Sequence, residues 1–512
     1  MKRKFAMAPL AAAILIAGVL TGCGSSENDK KPSTGASVSS EPTNLKVLLI
    51  QPGDPPKLDL NKAKEDIEKR GNVKLELELA IEDVYKDKIS LAMANSSTYD
   101  LILFDNGKDS VFANYVKQGA FHDLTPYLKD KKNLSLIPEI TWTQTKVDNK
   151  VYGIPRPRQM YGAQGNIAIR KDWLDKYGLK TPETLSEFNQ VMKTFKEKDP
   201  AGGGKTVPIV TYPTNSYTVF GWLAPVQFAL GMPNGWKIEN GAPKYAIQTP
   251  EYLTYLDWVK QAWADGLFDK NAPVLKSSQA QAQYLQGIVG SRATNVSELN
   301  DSPNGNMAQI RKADPNTNLE LIPVLKGPDG KGGIQKSGGY YGLWAIPSTT
   351  PKDKVQKIVD YLDFTASEEN QAYSQAGIIG MHSTSYKDGK VEQSPEQIKL
   401  YKEEQPNLWA LENRYDPYLY VKSDASAPVR QIMKNITDSF EKVAVVNPFD
   451  GLISETNAKN PDNLKKLSTA ALKYVIGEGT LDTVKAEIEG WEKTYGNQIA
   501  KEYMEQYNAQ KK

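Results

Sequence analysis

The sequence predicts an α/β fold built from at least two lobes. Three observations carry this. A β-α-β-α-β pattern opens the body of the chain between residues 45 and 104. Amphipathic helical patterns recur down to the C-terminus. The body, from about Leu45 to residue 512, is longer than one hydrophobic core sustains.

The opening elements follow in order. "LKVLLI" (45–50) reads as a continuous apolar strand. "DLNKAKEDIEKR" (59–70) reads as a helix stopped by Gly71. "VKLELELA" (73–80) alternates strictly, with Val73, Leu75, Leu77 and Leu79 on one face. "DVYKDKISLAMA" (83–94) is helical and "DLILF" (100–104) is a third strand. This order implies a parallel sheet with right-handed crossovers. Further on, Thr184 and Glu187 form a capping box, and Leu185, Phe188, Val191, Met192 and Phe195 share one helix face. "EYLTYLDWVKQAW" (251–263) and "DKVQKIVDYLDFTAS" (353–367) are two more amphipathic helices. Helices dominate the C-terminal third, and no internal repeat is visible.

Cys23 is the one cysteine in 512 residues, so no internal disulfide is possible. A nucleophile, a metal ligand, a buried small residue and a modification site remain open. Lys2, Arg3 and Lys4 precede an uncharged apolar run from Phe5 to Leu20, and small residues lead into Cys23. That is the order of a secretory signal, and the run is short for a membrane span. An uncleaved N-terminal anchor is the other reading. Leu20-Thr21-Gly22-Cys23 resembles the lipobox of bacterial lipoproteins. The resemblance implies a signal peptide over 1–22 and a diacylglycerol thioether on Cys23. Two or more acyl chains on one residue anchor far more firmly than one. Residues 24–44, rich in Ser, Lys, Pro, Thr and Glu, read as a disordered tether. Removing 1–22 takes away three positive charges, from +2 to −1. A near-neutral chain with interspersed charges does not bind nucleic acid by electrostatics.

Catalytic and metal motifs are scarce. His122 and His382 are the two histidines, and no G-x-S-x-G elbow accompanies them. They read as ordinary surface or cleft residues. Cys/His clusters are absent, so no metal site and no cofactor is expected. Gly204-Lys205-Thr206 mimics the end of a P-loop, but Asp199 stands where its first glycine belongs. Read as a calcium loop from Asp199, the segment has Ala201 and Gly203 at ligand positions and Val210 where a Glu is required. A tight turn is the expectation.

Aromatic residues on Gly- and Pro-flanked stretches suit the wall of a sugar-binding cleft, because their flat faces stack on sugar C–H surfaces. Tyr161, Trp222, Trp236, Tyr340, Tyr341, Trp344 and Trp409 are the candidates. Trp173, Trp258, Trp263 and Trp491 lie in helical patterns and are assigned to packing. Open parallel sheets bind ligands beyond the carboxyl ends of their strands. That rule adds Asp54 after the first strand, and Asp105 and Asn106 after the third. Arg156 and Arg158 offer bidentate contacts to hydroxyls or a carboxylate.

Several stretches in order resemble family 1 extracellular solute-binding proteins, the carbohydrate-type receptors of ABC importers. They are "STYDLILFD" (97–105), "KVYGIPRPRQ" (150–159), "IAIRKDWLDKYGLKTPETLSEF" (167–188), "VKQAWADGLFD" (259–269), "LKGPDGKGG" (325–333) and "YYGLWAIPSTTPKDKVQKIVDYLDF" (340–364). The resemblance implies a two-lobed periplasmic-binding-protein-like fold with a hinge between discontinuous α/β domains. Carried over, lobe one is 45–155 with 327–380, and lobe two is 156–326 with 381–512. It further implies a monomer that is not an enzyme. A sugar or oligosaccharide sits between the lobes and passes to ABC permease subunits. The body is held by its lipid on the extracellular face of the cell membrane, in a Gram-positive-like bacterium. A surface-anchored carbohydrate-active enzyme and a receptor signalling to a membrane sensor are the competing readings.

Overall fold

Leu45, Val47, Leu48, Leu49 and Ile50 are all buried in β1 (Thr43–Gln51), which is covered on both faces. That is why the run is apolar without alternation. The computed structural model describes residues 41–51, 61–95, 98–105, 108–214, 216–303, 305–387, 390–404 and 413–510.

Asn61 caps α1 (Lys62–Gly71) by accepting the Lys64 N–H. Gly71 does not stop this helix. Asn72 does, in the left-handed conformation at φ 50°. Gly71 is required for packing, since a Cβ there would lie 2.8 Å from the Tyr361 ring. The edge strand β2 (Val73–Ile81) runs parallel to β1, buries Val73 and Leu75, and exposes Lys74 and Glu76. Then come α2 (Glu82–Ala94), β3 (Leu101–Phe104) parallel to β1, α3 (Ser110–Lys117), α4 (Glu139–Thr145) and β4 (Ile154–Pro157).

The chain then builds a second sheet with β5 (Asn166–Arg170), α5 (Lys171–Lys176), α6 (Leu185–Lys198) and β6 (Val207–Ile209). The capping box of α6 forms as read, with both Thr184 and Glu187 engaged. There follow α7 (Ala224–Ala229), the hairpin β7 (Trp236–Glu239) and β8 (Ala242–Tyr245), α8 (Pro250–Ala264), α9 (Ser277–Leu285), β9 (Val289–Thr294), α10 (Asn306–Ile310) and β10 (Leu319–Ile322). Returning, β11 (Ile334–Gln335) leads into β12 (Tyr340–Ala345), which inserts between β3 and β4, antiparallel to both. The sheet orders are β2-β1-β3-β12-β4 and β10-β5-β9-β6.

Residues 42–512 form one compact unit containing two large cores. One draws on residues between 45 and 154 and between 343 and 373. The other draws on residues between 167 and 325 and between 449 and 499. Where the chain crosses, the Arg158 N–H donates to the Gly339 carbonyl at 2.7 Å and the Ser337 N–H to the Met160 carbonyl at 2.8 Å. β11 also pairs in parallel with Ala444–Val445.

Two sequence readings change here. The resemblance groups 381–404 with the second lobe, yet Glu404 is tied to the start of α1. Its carboxylate accepts the Ala63 N–H at 3.1 Å and its carbonyl accepts from Asn61 Nδ2. His382 is a core residue, not a surface or cleft one. Its Nδ1 accepts the Ile378 N–H, so Nε2 carries the proton and donates to Glu404 at 3.2 Å. Burial lowers its pKa and keeps the ring neutral. Among the described residues no helix is long and apolar enough to cross a membrane.

Candidate functional site

A cavity of 280 Å³ opens at the carboxyl end of β3. Its first wall is Asp105 with Gly338, Tyr340, Tyr341 and Gly342, which lead into and open β12. Gln144 of α4 forms the side, and Asp450 and Gly451 close it from a C-terminal loop. The placement obeys the strand-end rule.

Local backbone chemistry shapes this wall. The β12–β4 register shifts between Tyr340 and Leu343, an irregularity that re-aims the strand start. Gly342 has φ 93°, and a Cβ there would lie 2.9 Å from Leu103 and 3.1 Å from the Phe104 carbonyl. Only glycine lets β12 pass so close to β3. Gly451 plays the same part opposite, where a Cβ would meet Gln144 at 2.7 Å.

The polar groups are tuned by burial. Burial, then Asp450 and Asp109, push the Tyr340 hydroxyl up to about 12, so it stays a neutral donor. Burial pushes the Asp450 carboxyl up to about 6, against the opposing charge of Lys336. Tyr341 is 41% exposed on the cavity wall. A neutral phenol, two carboxylates, an amide and a partly exposed aromatic ring together can hydrogen-bond and stack a polyhydroxylated ligand.

A larger cavity of 830 Å³ adjoins through the neighbouring residues Lys108, Thr143 and Leu452. Lys117 of α3 and Glu455 face each other across it at 2.9 Å. Lys108 donates to the Lys146 carbonyl at 2.9 Å, and burial brings its pKa down to about 8.

The sequence candidates disperse. Asp105, Tyr340 and Tyr341 meet in one cavity. Arg158 and Tyr161 lie in the crossing segment, where Tyr161 bridges to Lys336. Trp222 sits elsewhere on the second body, edge-on to Tyr212 at 4.9 Å. Three candidates stand corrected as cleft residues. Trp344 is fully buried in the middle of the first sheet, donating from Nε1 to buried Asn413 at 2.7 Å. Arg156 is 1% exposed on a strand whose four residues are all buried. Trp236 is 6% exposed, packs among Tyr245, Phe449 and Tyr503, and lines with them a separate cavity of 240 Å³ rather than the first one. Trp491, assigned to packing, shares that cluster through Tyr245. Cys23, Asp54, Asn106 and Trp409 lie outside the described residues. Sequence reasoning missed Gln144, Asp450 and Gly451. The turn-rich stretch Asn447-Pro448-Phe449-Asp450-Gly451 was the one available signal. Gln144 had none.

The Asp199 loop closes on itself. Its carboxylate accepts the Gly204 N–H at 2.6 Å and the Thr206 N–H at 3.1 Å, and the Thr206 hydroxyl, followed by these two N–H groups, lowers its pKa. Both oxygens are thereby engaged by the turn. Among the described residues no group of three or more His, Cys, Asp or Glu could hold a metal ion.

The family model described as bacterial extracellular solute-binding protein matches residues 57–372. The chain belongs to this family. Two relatives match over nearly the whole length. The polygalacturonan/rhamnogalacturonan-binding protein YtcQ of Bacillus subtilis (strain 168) is 30% identical over 97% of this chain and 97% of its own. Lipoprotein LipO of the same strain is 29% identical, covering 100% of this chain and 99% of its own. Among solved structures, the ABC-transporter substrate-binding protein FusA of S. pneumoniae in complex with kestose superposes with a TM-score of 0.65. It is 17% identical and covers 92% of this chain and 99% of its own. That likeness establishes a shared two-lobed α/β fold.

Proposed function

We propose that this solute-binding protein captures a sugar or oligosaccharide between two lobes and hands it to an ABC permease. The single observation that carries the reading is the cavity that joins Asp105, Tyr340 and Tyr341 of the first body to Asp450 and Gly451 of the second. A ligand touching both bodies binds the closed arrangement better and shifts the equilibrium toward it. The paired crossing segments at Arg158–Gly339 and Met160–Ser337 are the hinge in this reading. In this reading the lobes are 45–155 with 327–380 and 156–326 with 381–512, except that 381–404 ride on the first, as the bonds of Glu404 to Asn61 and Ala63 favour. The likeness to YtcQ, a polygalacturonan/rhamnogalacturonan-binding protein, and to FusA, an ABC-transporter substrate-binding protein seen with kestose, supports the ligand class and the permease. No bond is broken in this role. The protein acts as a monomer tethered through a lipid on Cys23, a reading that the likeness to Lipoprotein LipO supports.

Calorimetry of the mature chain in detergent against a panel of mono- and oligosaccharides tests the capture step. At least one glycan is expected to bind and to shrink the radius of gyration in solution scattering. Binding of a peptide or a metal with no glycan bound would overturn it. Fatty-acid labelling that survives Cys23→Ser would overturn the anchor.

A further inference from the structure

The 240 Å³ cavity that Trp236 lines has no charged residue on its wall. The walls of the 280 Å³ and 830 Å³ cavities carry carboxylates, and the larger one lysines as well. Five aromatic side chains line the uncharged cavity: Trp236 and Tyr245 of the β7–β8 hairpin, with Phe449, Trp491 and Tyr503. Side-chain amides of Asn447, Asn457 and Asn463 supply its polar groups. The lining comes from residues 235–245 and 447–503, so the cavity lies within the second body and not between the two.

The rings are held in place from outside the cavity. Trp491 donates from Nε1 to Asn463 Oδ1 at 2.7 Å. The chain then makes a π-helical turn, Glu492–Gly496, in which a Cβ at Gly496 would lie 2.5 Å from the Trp491 ring. Such turns inside longer helices recur at functional sites. Tyr245 stacks on Trp491 with ring centres 5.4 Å apart and meets Trp236 at 4.9 Å. Trp236 meets Tyr503 edge-on at 5.5 Å.

The amides divide into one that is spent and two that are not. Asn463 Nδ2 donates to Asn457 Oδ1 and to the Asn460 carbonyl, each at 2.7 Å, while its Oδ1 holds Trp491. Asn447 Oδ1 accepts the Phe449 N–H at 3.0 Å. The NH₂ groups of Asn447 and Asn457 make no hydrogen bond among the described residues. Nor does the Tyr503 hydroxyl, which burial raises in pKa and keeps neutral. Gly235, at φ 73°, keeps the space beside Asn447 clear, since a Cβ there would lie 3.4 Å from Asn447 Nδ2.

We propose that this cavity is a second ligand site, separate from the cleft, that takes the ring of a neutral hexose or hexoside. A cavity of about 150 Å³ already holds a benzene ring, so 240 Å³ holds a six-membered ring with its substituents. Aromatic side chains suit the C–H surface of a sugar, and the unspent amide donors and the Tyr503 hydroxyl suit its hydroxyls. A charged ring would lose its water and find no opposite charge on this wall, which selects for an uncharged one. One loop serves both sites. Asn447 and Phe449 line this cavity, and Asp450 and Gly451 line the first.

The test is a ligand-observed NMR titration of the full mature chain with the methyl α-pyranosides of glucose, galactose and mannose, beside cyclohexanol and glucuronate. At least one hexoside is expected to saturate in the millimolar range, with cyclohexanol and glucuronate at least tenfold weaker. That comparison uses the unaltered protein and depends on no variant folding. Trp491→Phe should weaken the hexoside at least tenfold. Asn457→Ala, at an exposed position that removes no core volume, should weaken it at least threefold. Tyr341→Ala, which alters the cleft, should leave it within twofold. If no hexoside saturates, or cyclohexanol binds as tightly as the hexosides, the second site is overturned and saccharide capture in the cleft still stands. A hexoside response lost in Tyr341→Ala but kept in Trp491→Phe and Asn457→Ala also overturns it, by placing the sugar in the cleft.

Discussion

Tyr340 and Tyr341 open β12 beside a cavity, whereas Leu343 and Trp344, three residues further on, are sealed in the first core. Both halves come from one glycine-flanked aromatic stretch, "SGGYYGLWAIP". The difference is positional. The first half projects past the carboxyl end of β3 at an irregular pairing, while the second half is flanked by β3 and β4 in register. Aromatic texture marks neither fate. What decides is whether a neighbouring strand covers the residue.

The comparison can be broken most forcefully at Trp344. Trp344→Ala should destabilise the protein by about 3–5 kcal/mol in denaturant unfolding, because it empties a core site. It also strands Asn413, whose Oδ1 accepts the indole N–H. Ligand affinity of the folded fraction should stay within about twofold, about 0.4 kcal/mol. A large affinity loss with unchanged stability would place Trp344 in the cleft after all.

Asp450 tests the opposite wall. Its folded pKa of about 6 stands above the ordinary 3.8, so the folded state binds more protons between those values. Stability from this group is therefore full below pH 3.8 and falls as pH rises to about 6. Asp450→Asn should remove that fall and leave the protein about 2–3 kcal/mol more stable than the parent at pH 7. Unfolding curves from pH 4 to 7 measure it. A variant that tracks the parent across that range would show that Asp450 is well solvated.

Tyr341 gives the smallest effect and the sharpest contrast with Trp344. Tyr341→Ala should change stability by less than about 0.5 kcal/mol, as exposed positions do. Ligand affinity in calorimetry should fall about tenfold, about 1.4 kcal/mol. Unchanged affinity would confine the site to the buried members of the wall.

Much of the fold was legible. Strands β1 to β3 and helices α1 and α2 follow apolar runs and alternation that declare themselves locally. The cap of α6 follows from two side chains three positions apart, Thr184 and Glu187. Errors appear where a residue's role depends on a distant partner. Gly71 looked like a helix stop but is a packing gap for Tyr361, and His382 looked superficial until Glu404 folded over it. The site was legible by halves. A strand-end rule reaches Asp105, and glycine-flanked tyrosines point to Tyr340 and Tyr341, while no rule pairs them with Asp450.

The sequence by itself determined the lipobox-like start, the α/β elements and the solute-binding family, because each is written in spacing, composition or order along the chain. Only the tertiary structure decided which aromatics line the cavity and which carboxylates share it. Those properties are set by the fold bringing together residues hundreds of positions apart, such as Asp105 and Asp450 on one cavity wall, and local periodicity holds no record of them.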